Sequence, residues 1–371
     1  MKYCIKCVLP ETRPNLKINR DGICNACETF KKRVTIDWQE KETEFNDLTK
    51  SIKSKGHSYD CVIPVSGGKD STWQVVKALE YGLRPLCVTW KTPARNSIGD
   101  YNLQNLINIG VDHIDFSINP KVEKTFTRLA FEKIGIPLLP MHMAIHALPL
   151  KVALSYDIPL IIWGENPAIE YGATKRLQKS KINSNWRRHF GVSGGTLAED
   201  WVGEELSLAE LTPYRVPAYN EKSSKIKSIF LGNYFKWDPK VVFSLAAEHG
   251  LKKLEKPKTG LYDFADIDDK FLVTVHHWLK WHKFGFTRTW DNLSLEIRNK
   301  RITRLEAIKT IKKFGEEKCD TEIEEFCNYI NISKADFFVI CDSLRAEHIW
   351  KKNKDGKFQI DEFLIKDWVW T

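Results

Sequence analysis

The stretch DCVIPVSGGKDST, residues 60–72, constrains this chain more than any other. An apolar run of strand length passes straight into Ser66-Gly67-Gly68-Lys69-Asp70-Ser71, and a helix-like segment opening at Thr72 follows. Glycines directly after a strand let the backbone turn sharply and bring successive N–H groups close to a ligand. The start of the next helix adds its dipole, so the junction reads as an anion site. Ser66 and Ser71 offer hydroxyl donors, and Lys69 neutralises phosphate charge. Asp70 would repel a polyphosphate unless a divalent cation lay between them. Magnesium, held by one or two carboxylates plus phosphate oxygens, resolves that conflict. Neither G-x-x-x-x-G-K-[ST] nor G-x-G-x-x-G is matched here, so the loop is a different device.

The segments after it alternate. Strands are expected over 59–65, 84–90, 112–118 and 159–163, with helices near 71–81, 99–109, 120–134 and 143–156. Such alternation means a parallel sheet with right-handed crossovers. The expected fold class is therefore α/β, a doubly wound parallel sheet. Its ligands bind at the carboxyl ends of the strands, near a topological switch point. Both the glycine loop and Gly164-Glu165-Asn166 fall at such ends. A second SGG, at 193–195, follows no apolar strand and lacks the Lys and Asp.

Nine cysteines in a chain without an apolar leader core argue against a disulfide framework. Cys4 and Cys7 form one C-x-x-C pair, Cys24 and Cys27 another, with 16 residues between. That spacing predicts a closed, structural zinc site. Cys61 and Cys87 sit in apolar runs and read as small buried hydrophobes. The expected division is a zinc knuckle over 1–30, a linker helix in 31–58, the sheet domain with an insertion over 59–262, and a helical region over 263–371. Net charge is +9, from 57 Lys+Arg and 48 Asp+Glu, which suits an anionic ligand without choosing one. No run approaches the ~18 apolar residues of a membrane span, and the expected location is the cytoplasm.

The loop resembles the PP-loop of the ATP-pyrophosphatase superfamily, S-G-G-x-D-S after the first strand of an adenine-nucleotide α/β (HUP-like) fold; Ser66–Ser71 match it fully. The resemblance implies ATP as substrate with Mg2+ on Asp70. The ATP site would comprise Ser66, Gly67, Gly68, Lys69, Asp70, Ser71 and Thr72, with Val88, Thr89 and Trp90 framing adenine and Gly164 beside them. Lys69, Asp70 and Glu165 would be the catalytic residues, Glu165 standing where relatives carry aspartate or cysteine. The cysteine knuckle, VIPVSGGKDS, IIWGENP with IEYG, and the C-terminal ITRLEAI together resemble the N-acetyl sugar amidotransferases. That family serves lipopolysaccharide O-antigen and flagellar-glycan biosynthesis. It converts a sugar acetamido group to an acetamidino group through an adenylylated imidate, releasing AMP and pyrophosphate. Its ammonia comes from a separate glutaminase and a cyclase-like channel partner, both resembling those of histidine biosynthesis.

The co-substrate, an acetamido sugar either free or nucleotide-linked, is expected to meet Asn166, Glu170, Tyr171, Arg187 and Arg188, with Lys175 and Arg176 nearby. The acids Asp263, Asp266, Asp268 and Asp269 read first as a helix entry on the surface. His142, His146, His276, His277 and His282 lack metal spacing and read as packed side chains. Two rival readings stand beside this one. A tRNA-thiolating enzyme would suit the charge and the knuckle, but residues 59–260 hold only Cys61 and Cys87, so nucleic acid is not the expected partner. A nucleotide-binding adaptor without turnover would need no metal-holding acid.

Overall fold

The computed structural model describes residues 1–173, 194–217 and 226–370. A helix, α1 (Asn25–Arg33), begins within the segment expected to be the knuckle, and α2 (Trp38–Lys53) lies where the linker helix was expected. The sheet domain then runs β1 (Cys61–Pro64), α3 (Lys69–Glu80), β2 (Pro85–Trp90), α4 (Ser97–Ile107), β3 (Asp112–Phe116), α5 (Pro120–Ile134), α6 (Leu139–Ser155), β4 (Leu160–Trp163), the short α7 (Pro167–Glu170), β5 (Lys227–Phe230) and α8 (Pro239–Glu248). The C-terminal helices are α9 (Leu272–Phe284), α10 (Arg288–Arg298), α11 (Arg304–Phe314), α12 (Asp320–Ile330) and α13 (Lys334–Ser343). A two-stranded ribbon, β6 (Lys351–Lys352) with β7 (Phe358–Gln359), interrupts the expected helical end.

The five-stranded sheet has the order β3-β2-β1-β4-β5, and every pairing in it is parallel. The chain builds outward from β1 through β2 and β3, then crosses to β1's other edge for β4 and β5. A crevice therefore opens between the carboxyl ends of β1 and β4. β5 was not expected from sequence; its KSIF is too short to announce itself.

Local chemistry sets the boundaries. Asn119 caps α5 by accepting from Lys121 N at 3.0 Å, Pro120 opens it, and Gly135 closes it in the left-handed region at φ 61°. Thr303 and Glu306 make the capping box ahead of α11. Alternate strand residues feed opposite layers. Cys61, Ile63, Cys87, Leu160 and Ile162 join α2, α3, α4 and α8 on one face. On the other, Val62, Leu86, Val88 and Ile161 join α5 and α6.

That second layer also takes in Leu272, Val275, Leu279, Phe326 and Phe337, so the C-terminal helices continue the core of the sheet domain. Phe131 stacks on Phe337 at 5.1 Å and meets Phe326 edge-on at 5.3 Å. Each such fully buried ring contributes about 1.5–3 kcal/mol through burial. The knuckle packs differently. Its cysteines with Val8, Leu9 and Ala26 share a cluster with Trp281, Phe286, Trp290, Ile349 and Trp350. No helix among the described residues is long and apolar enough to cross a membrane.

Because Phe326 belongs to a core common to both regions, Phe326→Ala is expected to cost about 3–5 kcal/mol. Urea unfolding should remain a single transition for probes in α5 and in α12. Separate midpoints would show two independently folding units.

Candidate nucleotide and co-substrate site

β1 delivers the chain to a turn that only glycine permits. Gly67 has φ 88°, and a Cβ there would lie 2.6 Å from the backbone N of Leu103 in α4. Gly68 is the N-cap of α3 in extended geometry, and no side chain caps the helix. The first-turn N–H groups of α3 have no intrahelical acceptor and carry the positive end of its dipole. Ser71 Oγ instead accepts from Ser66 N at 2.9 Å, and Thr72 Oγ1 donates to Gly68 O at 3.2 Å, which fixes the loop's shape. The result is an anion cradle at the sheet's carboxyl edge.

Two carboxylates flank it. Asp70 accepts from Trp237 Nε1 at 2.9 Å and is paired with Lys69, whose Nζ lies 5.6 Å from the Trp237 ring centroid. From β4, Gly164 comes so close that a Cβ on it would sit 3.6 Å from Asp70 Cβ. Burial, and then the charge of Asp70, push Glu165 up to about 7 against the pull of Lys69. Both carboxylates are hard-oxygen donors beside a phosphate cradle, and together they fit a divalent cation.

A cavity of about 920 Å3 runs from this crevice toward the C-terminal helices. Ser66, Asp70, Ser71, Val88, Thr89, Trp90, Gly164, Glu165 and Tyr171 line it. Gly67, Gly68, Lys69 and Thr72 shape the loop from behind. Thr89 Oγ1 donates to Val65 O at 2.7 Å and Trp90 Nε1 to Glu123 at 2.7 Å, so the end of β2 is rigidly held.

Two expected co-substrate contacts lie elsewhere. Asn166 is 2 % exposed, caps α7 by accepting from Ala168 N at 3.1 Å, and donates to Asn233. Glu170, 4 % exposed, is ion-paired with Arg33 of α1, while its backbone carbonyl accepts from Arg298. Its carboxylate is a structural anchor, because a buried charge with a dedicated partner has no freedom to leave it. Lys175, Arg176, Arg187 and Arg188 lie outside the described residues.

The far wall holds the residues that sequence reasoning set aside. Val273, His276, His277, Lys280 and Phe284 form one stripe along α9, and Met141, His142, Ile145, His146 and Pro149 form one along α6; all face the cavity. The signal was present as i, i+3, i+4 spacing, but the core-facing Val275 and Leu279 share the helix and masked it. His142 and His276 meet at 5.8 Å between ring centroids. Burial, then the charge of neighbouring His277, holds His142 down to about 4, and burial likewise lowers His276 and His277. All three are neutral imidazoles at pH 7.

The acidic cluster divides. Asp263 pairs with Lys253 at 2.5 Å, Asp269 accepts from Thr92 at 2.7 Å, and Asp266 lies 3.6 Å from His277. Asp268 lines the cavity, where burial and then Asp269 push its carboxyl up to about 7.

At the other end of the molecule, the four knuckle sulfurs lie within 4.8 Å of one another, with Cys4–Cys27 at 3.9 Å and Cys7–Cys24 at 3.7 Å. A tetrahedron with metal–sulfur bonds of about 2.3 Å has edges of about 3.8 Å, so the cluster can hold zinc. The N–H groups of Cys7 and Cys24 point at Cys4 Sγ, at 3.5 and 3.3 Å. Arg304 donates to the carbonyls of Cys4 and Cys7.

Residues 248–364 match a family model, LPS biosynthesis protein WbpG-like, C-terminal domain. That segment carries the α9 stripe, Asp268 and Arg288, so the matched domain supplies the α9 side of the cavity's far wall. No curated protein matches the chain. Among solved structures, an NMN synthetase from Francisella tularensis is similar at 12 % identity and TM-score 0.32, over 80 % of this chain and 94 % of that one. An NH3-dependent NAD synthetase from Campylobacter jejuni has 17 % identity and TM-score 0.30, over 41 % and 71 %. A predicted subunit of tRNA methyltransferase from Methanocaldococcus jannaschii has 17 % identity and TM-score 0.28, over 60 % and 87 %. Scores this low do not establish a shared fold.

Asp268 holds a proton in the folded state between its ordinary pKa and about 7 that the unfolded chain has lost. Stability contributed at this site therefore falls as pH rises through that window. Asp268→Asn should raise the Tm at pH 8 and leave it unchanged near about pH 4; an equal gain at both would assign the effect to packing. Cys7→Ser should bring bound zinc close to zero and lower the Tm, because the knuckle is too small to build a core without metal. Retention of one zinc per chain would contradict the four-sulfur site.

Proposed function

We propose that the chain is an ATP-pyrophosphatase-type enzyme that activates a carbonyl oxygen of a co-substrate as its adenylate. The observation that carries this reading is the uncapped α3 N-terminus and the Asp70–Glu165 pair opening into one cavity at the β1/β4 switch point. Its volume, near the top of the usual ~300–1,000 Å3 range, leaves room beside a nucleotide for a second molecule. The finer reading is an N-acetyl sugar amidotransferase that makes an acetamidino group in surface-glycan biosynthesis. Support for it comes from the WbpG-like domain lining the same cavity.

The chemistry follows from the poor leaving ability of amide oxygen. The acetamido oxygen attacks the α-phosphorus of ATP, the bond to the β-phosphate oxygen breaks, and pyrophosphate leaves. Ammonia adds to the imidate carbon, loses a proton, and AMP departs, leaving the amidine. In this scheme the first-turn N–H groups of α3 hold the phosphates and Lys69 offsets their charge. Asp70 and Glu165 would hold Mg2+, which supplies charge neutralisation at the triphosphate. The end of β2 frames the adenine, and the neutral imidazoles of α6 and α9 offer both donor and acceptor contacts to a hydroxyl-rich co-substrate. Ammonia would be delivered by a separate glutaminase through a cyclase-like channel partner. A sulfur-transfer role is disfavoured because Cys61 and Cys87 are fully buried and burial raises both thiols, Cys87 to about 12.

Incubation with ATP, Mg2+, ammonium and a panel of acetamido sugars should lower the product mass by about one unit, as NH replaces O, with AMP formed in step. ADP as the spent nucleotide would sink the reading. Asp70→Asn should abolish pyrophosphate release while zinc content and Tm stay as in the wild type.

A further inference from the structure

Arg288 is a guanidinium without a hydrogen-bond acceptor among the described residues. It lines the cavity at the start of α10 and makes no hydrogen bond among the described residues. Its Nε is buried and unpartnered, and its nearest ion pair is to Asp291 at 3.8 Å. A buried charged donor left unmatched is costly, so one that faces a cavity is available to an anion entering it.

Three acids lie within electrostatic reach of Arg288: Asp266, Asp291 and Glu317. Each is already engaged. Asp291, fully buried, accepts from Arg13 Nε at 2.8 Å and from Lys280 Nζ at 2.8 Å. Burial alone would raise its pKa, but Lys280, Arg13 and Arg288 outweigh that and hold it well below the carboxylate range. Asp266 faces His277, and Glu317 accepts from Gly260 N, Thr289 N and Thr289 Oγ1. The stem of Arg288 is pinned as well. A Cβ on Gly260, at φ 70°, would come within 3.0 Å of Arg288 Cγ, so the glycine makes room for that side chain.

Tyr171 joins this corner to the crevice, since it lies within electrostatic reach of both Arg288 and Glu165 and carries Arg13 over its ring at 5.1 Å. A ligand group on Arg288 therefore leaves the rest of the molecule directed toward the carboxylates at β1 and β4.

We propose that Arg288, with Lys280 and Arg13 gathered on Asp291 beside it, is an anion-binding corner that seats a carboxylate or phosphate group of the co-substrate. The planar fork of a guanidinium matches either anion in two parallel hydrogen bonds. This rests on the reading of the cavity as shared by nucleotide and co-substrate.

The test uses the zinc-loaded full chain with Mg2+ and α,β-methylene-ATP, titrated calorimetrically with three probes. These are N-acetylglucosamine, its 1-phosphate, and 2-acetamido-2-deoxyglucuronic acid. At least one anionic probe should bind roughly tenfold or more tightly than the neutral sugar, and which of them does so tells phosphate from carboxylate. Arg288→Gln should erase that preference and Arg288→Lys keep part of it, with nucleotide affinity unchanged in both. Equal binding of all three probes, binding of none, or a preference that survives in Arg288→Gln would overturn the proposal. The nucleotide is titrated separately without sugar. Loss of nucleotide binding there, with the anion preference intact, would remove the ATP reading and leave the corner standing.

Discussion

The parallel pairing of β1 with both β2 and β4 is the constraint on which the site depends. A strand that is paired on both edges must hand its chain onward at its carboxyl end, and here two chains leave side by side in opposite crossovers. Gly67 lets the first of them turn against the backbone of α4, and Gly164 lets the second approach Asp70. A Cβ at Gly67 would collide with the backbone of α4, so the first exit requires glycine. Burial, and then the charge of Asp70, raise the Glu165 carboxyl, and both follow from where the backbone places the end of β4.

The knuckle is tied into this arrangement from behind. Arg33, six residues after Cys27, pairs with Glu170 at the end of α7, and Arg298 holds the Glu170 carbonyl while standing close to the thiols. Gly172 packs against Asn25 and Ala26 of α1, and Arg13 donates to the Tyr171 carbonyl. The segment following Glu165 is thus gripped by residues whose own positions depend on the cysteine cluster. A cysteine cluster more than a hundred residues away in sequence thereby helps to hold the segment that walls the cavity.

Much of this was legible in the chain. Strand and helix alternation, the S-G-G-x-D-S loop, the cysteine spacing and the Thr303 capping box are local patterns, and local patterns survive in sequence because their cause is local. Glu170 and Asn166 misled for the opposite reason. A polar residue just past a catalytic strand end reads as a ligand contact, yet Arg33 and Asn233 claim these two side chains, and neither partner is near them in sequence. The cavity-facing histidines were hidden similarly: on α9, His276 and His282 differ little in composition or flanks, but one faces the cavity and the other packs on Trp278 at 4.2 Å.

The amino-acid order alone determined the α/β class, the anion-binding junction after β1 and the paired cysteines able to hold zinc, because each follows from backbone sterics or ligand spacing over a few dozen residues. Tertiary structure decided that the C-terminal helices close the cavity, that Arg288 faces it with no hydrogen-bond acceptor among the described residues while Asp291 satisfies its neighbours, and that Glu170 is an anchor. Those outcomes are set by which long-range partners compete for each charge, and that competition exists only once the chain has folded.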